Sequence, residues 1–478
     1  MNLKLHPRAG ERLADQLFHA GVEFPCGGES ACGGCRIRVI EGDVPITEMM
    51  RVALTEEELA QGWRLACCAN AAGAVTVEVD QWSVHVLTDE AAVPIEPREG
   101  FGAAIDLGTT TLVAQLVDLE TGEVLGVETA LNAQARFGAD VMSRIQYELK
   151  QPGEPRAVIR RQLGEMLRRL AGGRALEEIL IAGNTAMHHL FCGLSVEPLA
   201  AVPFLSPSLG EARFEAAELG WPGPAVFLAC LGGFVGSDLL AGIVATRIDR
   251  HRHPHGLFDI GTNGEIVVGS REGIRCASTA AGPAFEGGRI GMGMRAGDGA
   301  IDSVHVNDGG FVCHVLGGAA PRGICGSGLV DAAAAALELS LVMPNGRLAQ
   351  GAKTLPLSGS VALAQSDIRE LQLAKGAMAA GLKMLGGEVR HLSLAGAFGN
   401  YIRQASARAI GLLPDDVVVE PVGNAALRGA RMLLLAPHRR ETRLKGILAL
   451  CSHVELAAEA EFQDIYAESM ALRRYSLR

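Results

Sequence analysis

The sequence predicts an α/β protein: a small β-grasp-like N-terminal module followed by a larger unit of two lobes built on one duplicated plan. Three observations predict it. Cysteines cluster within the first 70 residues, running C-x5-C-x2-C from Cys26 through Cys32 to Cys35, with the adjacent pair Cys67-Cys68 further on. An Asp-x-Gly-Thr turn between apolar strands occurs at Asp106 and recurs about 150 positions later at Asp259. Gly numbers 60 while aromatic residues make up only 4%, a composition that suits close-packed α/β layers with many tight turns.

At 478 residues the chain exceeds one compact core, and it divides into a module over 1–83, a linker over 84–101 and lobes over 102–250 and 251–478. The net charge of -11 argues against nucleic acid or an anionic membrane as partner, since both are polyanions. The most apolar window, 225–246, carries Gly232, Gly233, Gly236, Ser237 and Asp238 at its middle. A spanning helix would bury that carboxylate in lipid, so the window reads as a strand, a glycine turn and a core helix. The first residues lack the apolar stretch of a signal peptide, which makes the expected location cytoplasmic. Five of the 11 cysteines fall between 26 and 68; clustered thiols in a reducing compartment read as metal ligands, and the six scattered ones as small buried residues.

In the N-terminal module, residues 36–40 and 74–79 alternate as strands, and 55–62 form a helical turn with Thr55 at its cap and Glu58 three residues on. The cysteine loop contains Gly27, Gly28, Gly33 and Gly34, which free the backbone to aim amide hydrogens at a negatively charged object. Four thiolates are the count a 2Fe-2S cluster requires. A structural zinc ion also takes four cysteines but usually draws them as two C-x2-4-C pairs, whereas adjacent Cys67 and Cys68 do not readily both face one metal. Residues 84–101, with Pro94 and Pro97, read as a short, partly extended tether.

From Phe101 the register changes to a strand over 102–105, a polar turn over 106–111, a strand over 112–118 and a hairpin signal over 119–122. Such a turn offers backbone N–H groups and hydroxyls to phosphate oxygens, with its Asp placed for a hydrated Mg2+. Asp106 and Asp259 are the candidates for Mg2+ and water positioning. Gly108, Thr109 and Thr110 on the first turn and Gly261, Thr262, Asn263 and Gly264 on the second are candidates for nucleotide contact. Glu265 reads equally as a base or as a flanking residue, and Asp238 as a helix cap or a catalytic carboxylate. Paired Asp-Gly-Thr turns also suit an aspartic protease, but helix-like Ala/Leu-rich stretches such as 329–341 do not. His188-His189 reads as core packing with a hydroxyl partner, because adjacent helical residues point about 100° apart. The glycine run 282–293 is too long for a simple turn and reads as a surface facing partner or nucleotide.

The order of Asp106-Leu107-Gly108-Thr109, Asp259-Ile260-Gly261-Thr262, 394–399 and 422–427 resembles the phosphate 1, phosphate 2, adenosine and second connecting motifs of the actin, sugar kinase and Hsp70 superfamily. That resemblance implies an actin-like ATPase of ribonuclease H-like repeats, with Gly396, Ala397, Phe398 and Gly399 admitting the adenine. A tight strand-to-helix turn is the alternative reading of those glycines. Together with the N-terminal cysteines, and with segments 132–140, 182–189 and 323–331, the chain resembles the reductive activators of corrinoid proteins over nearly its whole length. The resemblance implies a 2Fe-2S cluster on Cys26, Cys32, Cys35 and Cys67, the last from the Arg64-Leu65-Ala66-Cys67 segment. It also implies ATP-dependent reduction of a Co(II) corrinoid to Co(I), a corrinoid protein of a methyltransferase system as partner and a low-potential electron donor. A homodimer is kept as one candidate assembly. Larger relatives place an extra domain after the ferredoxin module, where only the short linker fits here, and the lone Cys451 near the C-terminus excludes further 4Fe-4S centres. Competing readings are a small-molecule kinase with an attached redox domain, an activator of radical dehydratases or another low-potential metalloenzyme, and an actin-like scaffold with a structural cluster.

Overall fold

A computed structural model describes residues 2–7, 13–19, 35–71, 73–79, 93–138, 140–202, 204–261 and 263–478. The N-terminal module is a four-stranded sheet in the order Asn2–Leu5, Val75–Glu78, Arg36–Glu41, Trp63–Leu65, all neighbours antiparallel. Alternation along these strands sends Ile37, Leu65, Val75 and Val77 inward, where they pack with Leu13 and Leu17 of the helix Leu13–His19 and with Met50. The helix Glu56–Ala60 starts at Thr55 with the reciprocal Thr55–Glu58 box that the sequence predicts.

The larger unit contains two six-stranded sheets. Lobe I orders its strands Val124–Leu131, Thr111–Asp118, Phe101–Leu107, Glu178–Gly183, Ala225–Phe227 and the edge strand Ala212–Phe214. Lobe II orders Val418–Gly423, His391–Ala395, His255–Ile260, Gly264–Ser270, Gly273–Thr279 and the edge strand Cys451–His453. Numbered along each lobe, both read three-two-one-four-five, with the first three strands antiparallel and the fourth and fifth parallel to the first. The duplication inferred from two short turns therefore extends through whole sheets, and its parallel crossovers are unlike the strand-rich protease alternative. The first strand of lobe I is covered on both faces, which explains why the consecutive residues Ala103, Ala104 and Ile105 are all apolar and buried, with Leu107 buried beyond Asp106. At 119–122 the chain makes the expected hairpin turn: Asp118 Oδ1 accepts the N–H groups of Glu120 and Thr121 at 2.9 Å, and Gly122 takes φ 78.

After its fifth strand each lobe sends a helix into a shared core, Ser237–Thr246 from lobe I and Ala425–Leu434 from lobe II. They cross closely because Gly429 faces the backbone of Ala241, where a Cβ would overlap the Ala241 carbonyl. Leu240, Ile243, Leu427 and Leu434 are fully buried there with Leu180 of lobe I and Val267 of lobe II. The window 225–246 is thus the strand Ala225–Phe227 and the helix Ser237–Thr246, and among the described residues no helix is long and apolar enough to cross a membrane. The helix expected over 329–341 spans Gly326–Glu338, and its first turn packs close to the Ile301 carbonyl, which Gly328 permits by having no side chain.

Of the predicted tether, 84–92 lies outside the described residues. Its C-terminal part lies down on the protein: Val93 and Ile95 pack on the shared core, and Glu96 donates its N–H to Leu435 O at 2.7 Å. Arg98 joins Arg440 in gripping Glu178, with Arg440 bidentate at 2.8 and 2.6 Å.

Candidate functional site

Asp106 and Asp259 sit at matching positions on the first strands of the two lobes. In register, Asp106 faces Val113 and Ala182, whereas Asp259 faces Glu265 and Ala395. Directly paired residues share one face of a sheet, so Glu265 lies beside Asp259. Asp238 is not the cap of its helix. Gly236 holds that place, and Asp238 in the first turn accepts the Leu239 N–H at 2.8 Å.

Enclosure between the lobes controls the electrostatics of these four carboxyls. Burial pushes Asp106 up to about 6 against the opposing hydrogen bond from Asn424. Burial and then the charge of Asp106 push Asp259 up to about 7. Asp238 also rises to about 7 through burial, opposed by the Leu239 N–H and reinforced by Asp106 and Asp259. Glu265 is driven well above the carboxylate range by burial and then by Asp238, Asp259 and Asp106. The three aspartates keep partial access to solvent, as expected of groups on the floor of a cleft. Carboxyls that raise one another in this way favour a cation among them. Among the described residues, no three His, Cys, Asp or Glu side chains are grouped closely enough to hold a metal ion directly.

Three asparagines absent from the predicted site hold its walls, each using both ends of its amide. Asn132 Oδ1 accepts the Gln134 N–H at 2.9 Å and its Nδ2 donates to Gly108 O at 2.8 Å. Asn184 Oδ1 caps the helix Thr185–Cys192 through the Met187 N–H at 2.9 Å, and its Nδ2 donates to Thr109 Oγ1 at 2.8 Å. Asn424 Oδ1 caps Ala425–Leu434 through the Leu427 N–H at 2.8 Å, and its Nδ2 donates to Asp106 Oδ2 at 2.8 Å. The available sequence signal was an Asn at a helix start just after a strand.

Gly108 closes the first turn by donating to Thr111 O at 3.1 Å, an approach a Cβ would block at 2.6 Å. On the second turn Gly261 and Asn263 flank the cleft residues, while Thr262 lies outside the described residues. Gly264 is buried opposite Thr279 under the helix Gln365–Gly386, where a side chain would overlap Met378. Packing explains that glycine. Gly396 takes φ 85, and a Cβ there would come within 2.7 Å of Asp259 Oδ1, so the 396–399 turn abuts the second phosphate turn. Ala397 belongs to the short helix Gly396–Tyr401, as do Phe398 and Gly399. Phe398 stacks on Phe285 with ring centroids 4.8 Å apart, and Gly399 lies against Leu394. The glycine run 282–293 therefore folds against this turn. His188 and His189 are buried as expected: His189 shares a hydrogen bond with Ser206 Oγ at 2.8 Å, and His188 packs edge-on against Phe227.

At the other candidate centre, Cys35 and Cys67 come together in the core of the N-terminal module, with the Cys67 N–H donating to Cys35 Sγ at 3.4 Å. An N–H aimed at sulfur stabilises thiolate charge. Cys68 turns elsewhere, to Thr47 Oγ1 at 3.5 Å and Leu65 O at 3.7 Å. Cys26 and Cys32 lie outside the described residues. Among the scattered cysteines, burial lifts the thiols of Cys192 and Cys451 to about 12 and raises those of Cys230, Cys276, Cys313 and Cys325.

Comparison with known proteins agrees with this layout. Residues 2–72 match the 2Fe-2S iron-sulfur cluster binding domain, 101–251 the RACo middle region, and 255–478 the C-terminal ASKHA domain of RACo. The corrinoid activation enzyme RamQ of Eubacterium limosum is 33% identical over 77% of this chain and 69% of its own. The Co(II) methylated amine-specific corrinoid protein reductase of Methanosarcina barkeri is 26% identical over 77% of this chain and 76% of its own. A solved reductive activator for a corrinoid, iron-sulfur protein superposes with a TM-score of 0.69 at 25% identity, covering 98% of both chains. With its 2Fe-2S domain, its doubled sheets and its ASKHA lobe, this chain belongs to the RACo family of reductive corrinoid activators.

Proposed function

We propose that this protein uses ATP to drive one electron from its N-terminal 2Fe-2S centre onto the Co(II) corrinoid of a methyltransferase-system protein, restoring methyl-accepting Co(I). The carrying observation is that one chain joins a buried Cys35–Cys67 centre to a two-lobed cleft floored by four mutually interacting carboxyls. Residues 1–83 form the redox module, 84–101 the tether, and 102–250 and 251–478 the lobes.

Cys26, Cys32, Cys35 and Cys67 would hold the cluster, which when bound supplies a one-electron carrier loaded by a low-potential donor. Burial of Cys35 and Cys67 keeps bulk water from their sulfurs. In the cleft, Thr109, Thr110, Thr262 and Asn263 meet the phosphates from both sides, with the first turn held by Asn132 and Asn184. Asp106, Asp238 and Asp259 would hold a hydrated Mg2+, which would neutralise the charge of the three carboxylates and the phosphates. Glu265 holds a proton beside Asp259 or passes one to a cleft water. Gly396 and Gly399 let their turn pack closely on Asp259 and Leu394, and that turn would border the adenine.

Plant-type 2Fe-2S centres lie at roughly -400 mV, and a Co(II)/Co(I) couple lower than that makes the transfer uphill. ATP supplies the difference by favouring a complex in which the acceptor is easier to reduce. The test is the visible spectrum of a partner corrinoid protein mixed with the holoprotein, a reductant and ATP. Conversion of Co(II) to Co(I) that depends on nucleotide and disappears in Asp259→Asn is expected. Equal reduction without nucleotide would overturn the proposal.

A further inference from the structure

We infer that the 2Fe-2S module docks on both lobes at once, through Trp63–Arg322 on lobe II and the helix Leu13–His19 on lobe I, so that nucleotide-driven lobe movement repositions the cluster. The inference rests on the ATP reading above and adds the surface through which the cleft controls the redox module.

On lobe II, the Arg322 guanidinium lies 5.3 Å from the centre of the Trp63 ring. Trp63 opens the strand Trp63–Leu65, four positions before Cys67, so what holds Trp63 also positions the buried cysteine segment. Arg322 is in turn anchored to the nucleotide side. Its N–H donates to Gly299 O at 2.8 Å, and its stem crosses Gly299, which has φ 86 and no side chain to obstruct it. The next residues form the strand Gly323–Ile324; Ile324 donates its N–H to Met292 O of the glycine run and accepts the N–H of Met294, just beyond that run, both at 2.9 Å. Two positions further on, Gly326 lies against Phe285 and Phe398, the stacked rings beside the 396–399 turn. A shift of that turn on nucleotide binding is carried to Arg322 through the packed backbone of 322–326.

On lobe I, the helix Leu13–His19 lies beside the 3-10 turn Ala133–Phe137. That turn is tied to the first phosphate turn by Asn132, whose N–H donates to Thr110 O and whose Nδ2 donates to Gly108 O, both at 2.8 Å. Among the described residues, each lobe therefore contacts the module, and each contact leads to the turn that the ATP reading assigns to phosphate or adenosine. Two lobes joined by a pair of crossing helices change angle when a ligand draws their turns together. A module resting on both cannot keep both contacts through that change. A cation–π contact between two half-buried side chains is weak enough to be the one released.

The test uses the holoprotein with p-benzoylphenylalanine replacing Trp63, which keeps an aromatic ring against Arg322. Irradiation without nucleotide should cross-link it to the 299–323 segment, and a non-hydrolysable ATP analogue with Mg2+ should reduce the yield at least threefold. In parallel, Arg322→Glu should lower the ratio of corrinoid reduction with ATP to that without at least fivefold while cluster absorbance is unchanged, and Arg322→Lys should restore most of the ratio. Unchanged cross-linking while calorimetry shows the analogue bound would overturn this inference and leave the ATP reading standing. Failure of the analogue to bind would overturn both.

Discussion

Asn424 donates its side-chain amide to Asp106 at 2.8 Å across a sequence separation of 318, joining the start of the lobe II helix Ala425–Leu434 to the Asp106 turn of lobe I. The same residue caps the helix Ala425–Leu434. Asn424→Ala should therefore lose about 1 kcal/mol of stability from the cap, and Asp106 should titrate above its present value of about 6. ATP-dependent corrinoid reduction should fall on the order of tenfold, the effect of losing a hydrogen bond to a charged group. Asn424→Asp keeps the capping oxygen but sets a second carboxylate against Asp106. It should melt near the parent at pH 5 yet be as inactive as the Ala variant, a separation that thermal melts and Co(I) absorbance would read.

The raised carboxyls dictate a pH dependence. Asp106 at about 6 and Asp238 and Asp259 at about 7 bind protons more tightly folded than unfolded. Their contribution to stability is complete below the ordinary carboxylate pKa and is lost as pH rises through about 6 to 7. The nucleotide-free melting temperature should fall between pH 5 and 8, and Mg2+ with nucleotide should raise it most at pH 8. Asp259→Asn should flatten the decline. A melting temperature that climbs over this range would contradict the assignment.

The two adjacent cysteines should separate cleanly. Cys67→Ser should abolish the visible absorbance of the cluster, because Cys67 meets Cys35 in the module core. Cys68→Ser should keep that absorbance, since Cys68 faces Thr47 and Leu65 O, and should change stability by less than about 1 kcal/mol. Iron content per chain checks both variants.

Gly429→Ala tests the joint between lobes. Its Cβ would meet the carbonyl of Ala241, a backbone atom that cannot rotate away. Overpacking of this kind costs about 1–3 kcal/mol, so chemical denaturation should show that loss. Gly446 of the helix Pro437–Leu450 has nothing within contact distance of its Cβ position, and Gly446→Ala should be neutral or stabilising by up to about 1 kcal/mol.

Much of the architecture was legible because it is local. The two Asp-Gly-Thr turns, the Thr55–Glu58 box, the Asp118–Gly122 hairpin and the strand-turn-helix at 225–246 each depend on residues within a few positions of one another. The three asparagines were not legible as site residues, because their side-chain partners lie 24, 75 and 318 positions away. Asp238 was read as a possible cap from its place near a helix start, but the backbone begins that helix two residues earlier at Gly236. Gly264 was read as a candidate for nucleotide contact from its place in the motif, and the packed helix above it supplies a steric reason for the glycine that the linear motif does not show.

The sequence by itself determined the element types, the duplication and the pairing of a cysteine-bearing module with two Asp-x-Gly-Thr turns, since periodicity, turn chemistry and motif spacing are all properties of neighbouring residues. Only the tertiary structure decided which groups share a charge environment, which of two neighbouring cysteines meets Cys35, and that Trp63 lies under Arg322. Burial, electrostatic coupling and contact across lobes arise from the closing of long loops, and a linear pattern does not encode those distances.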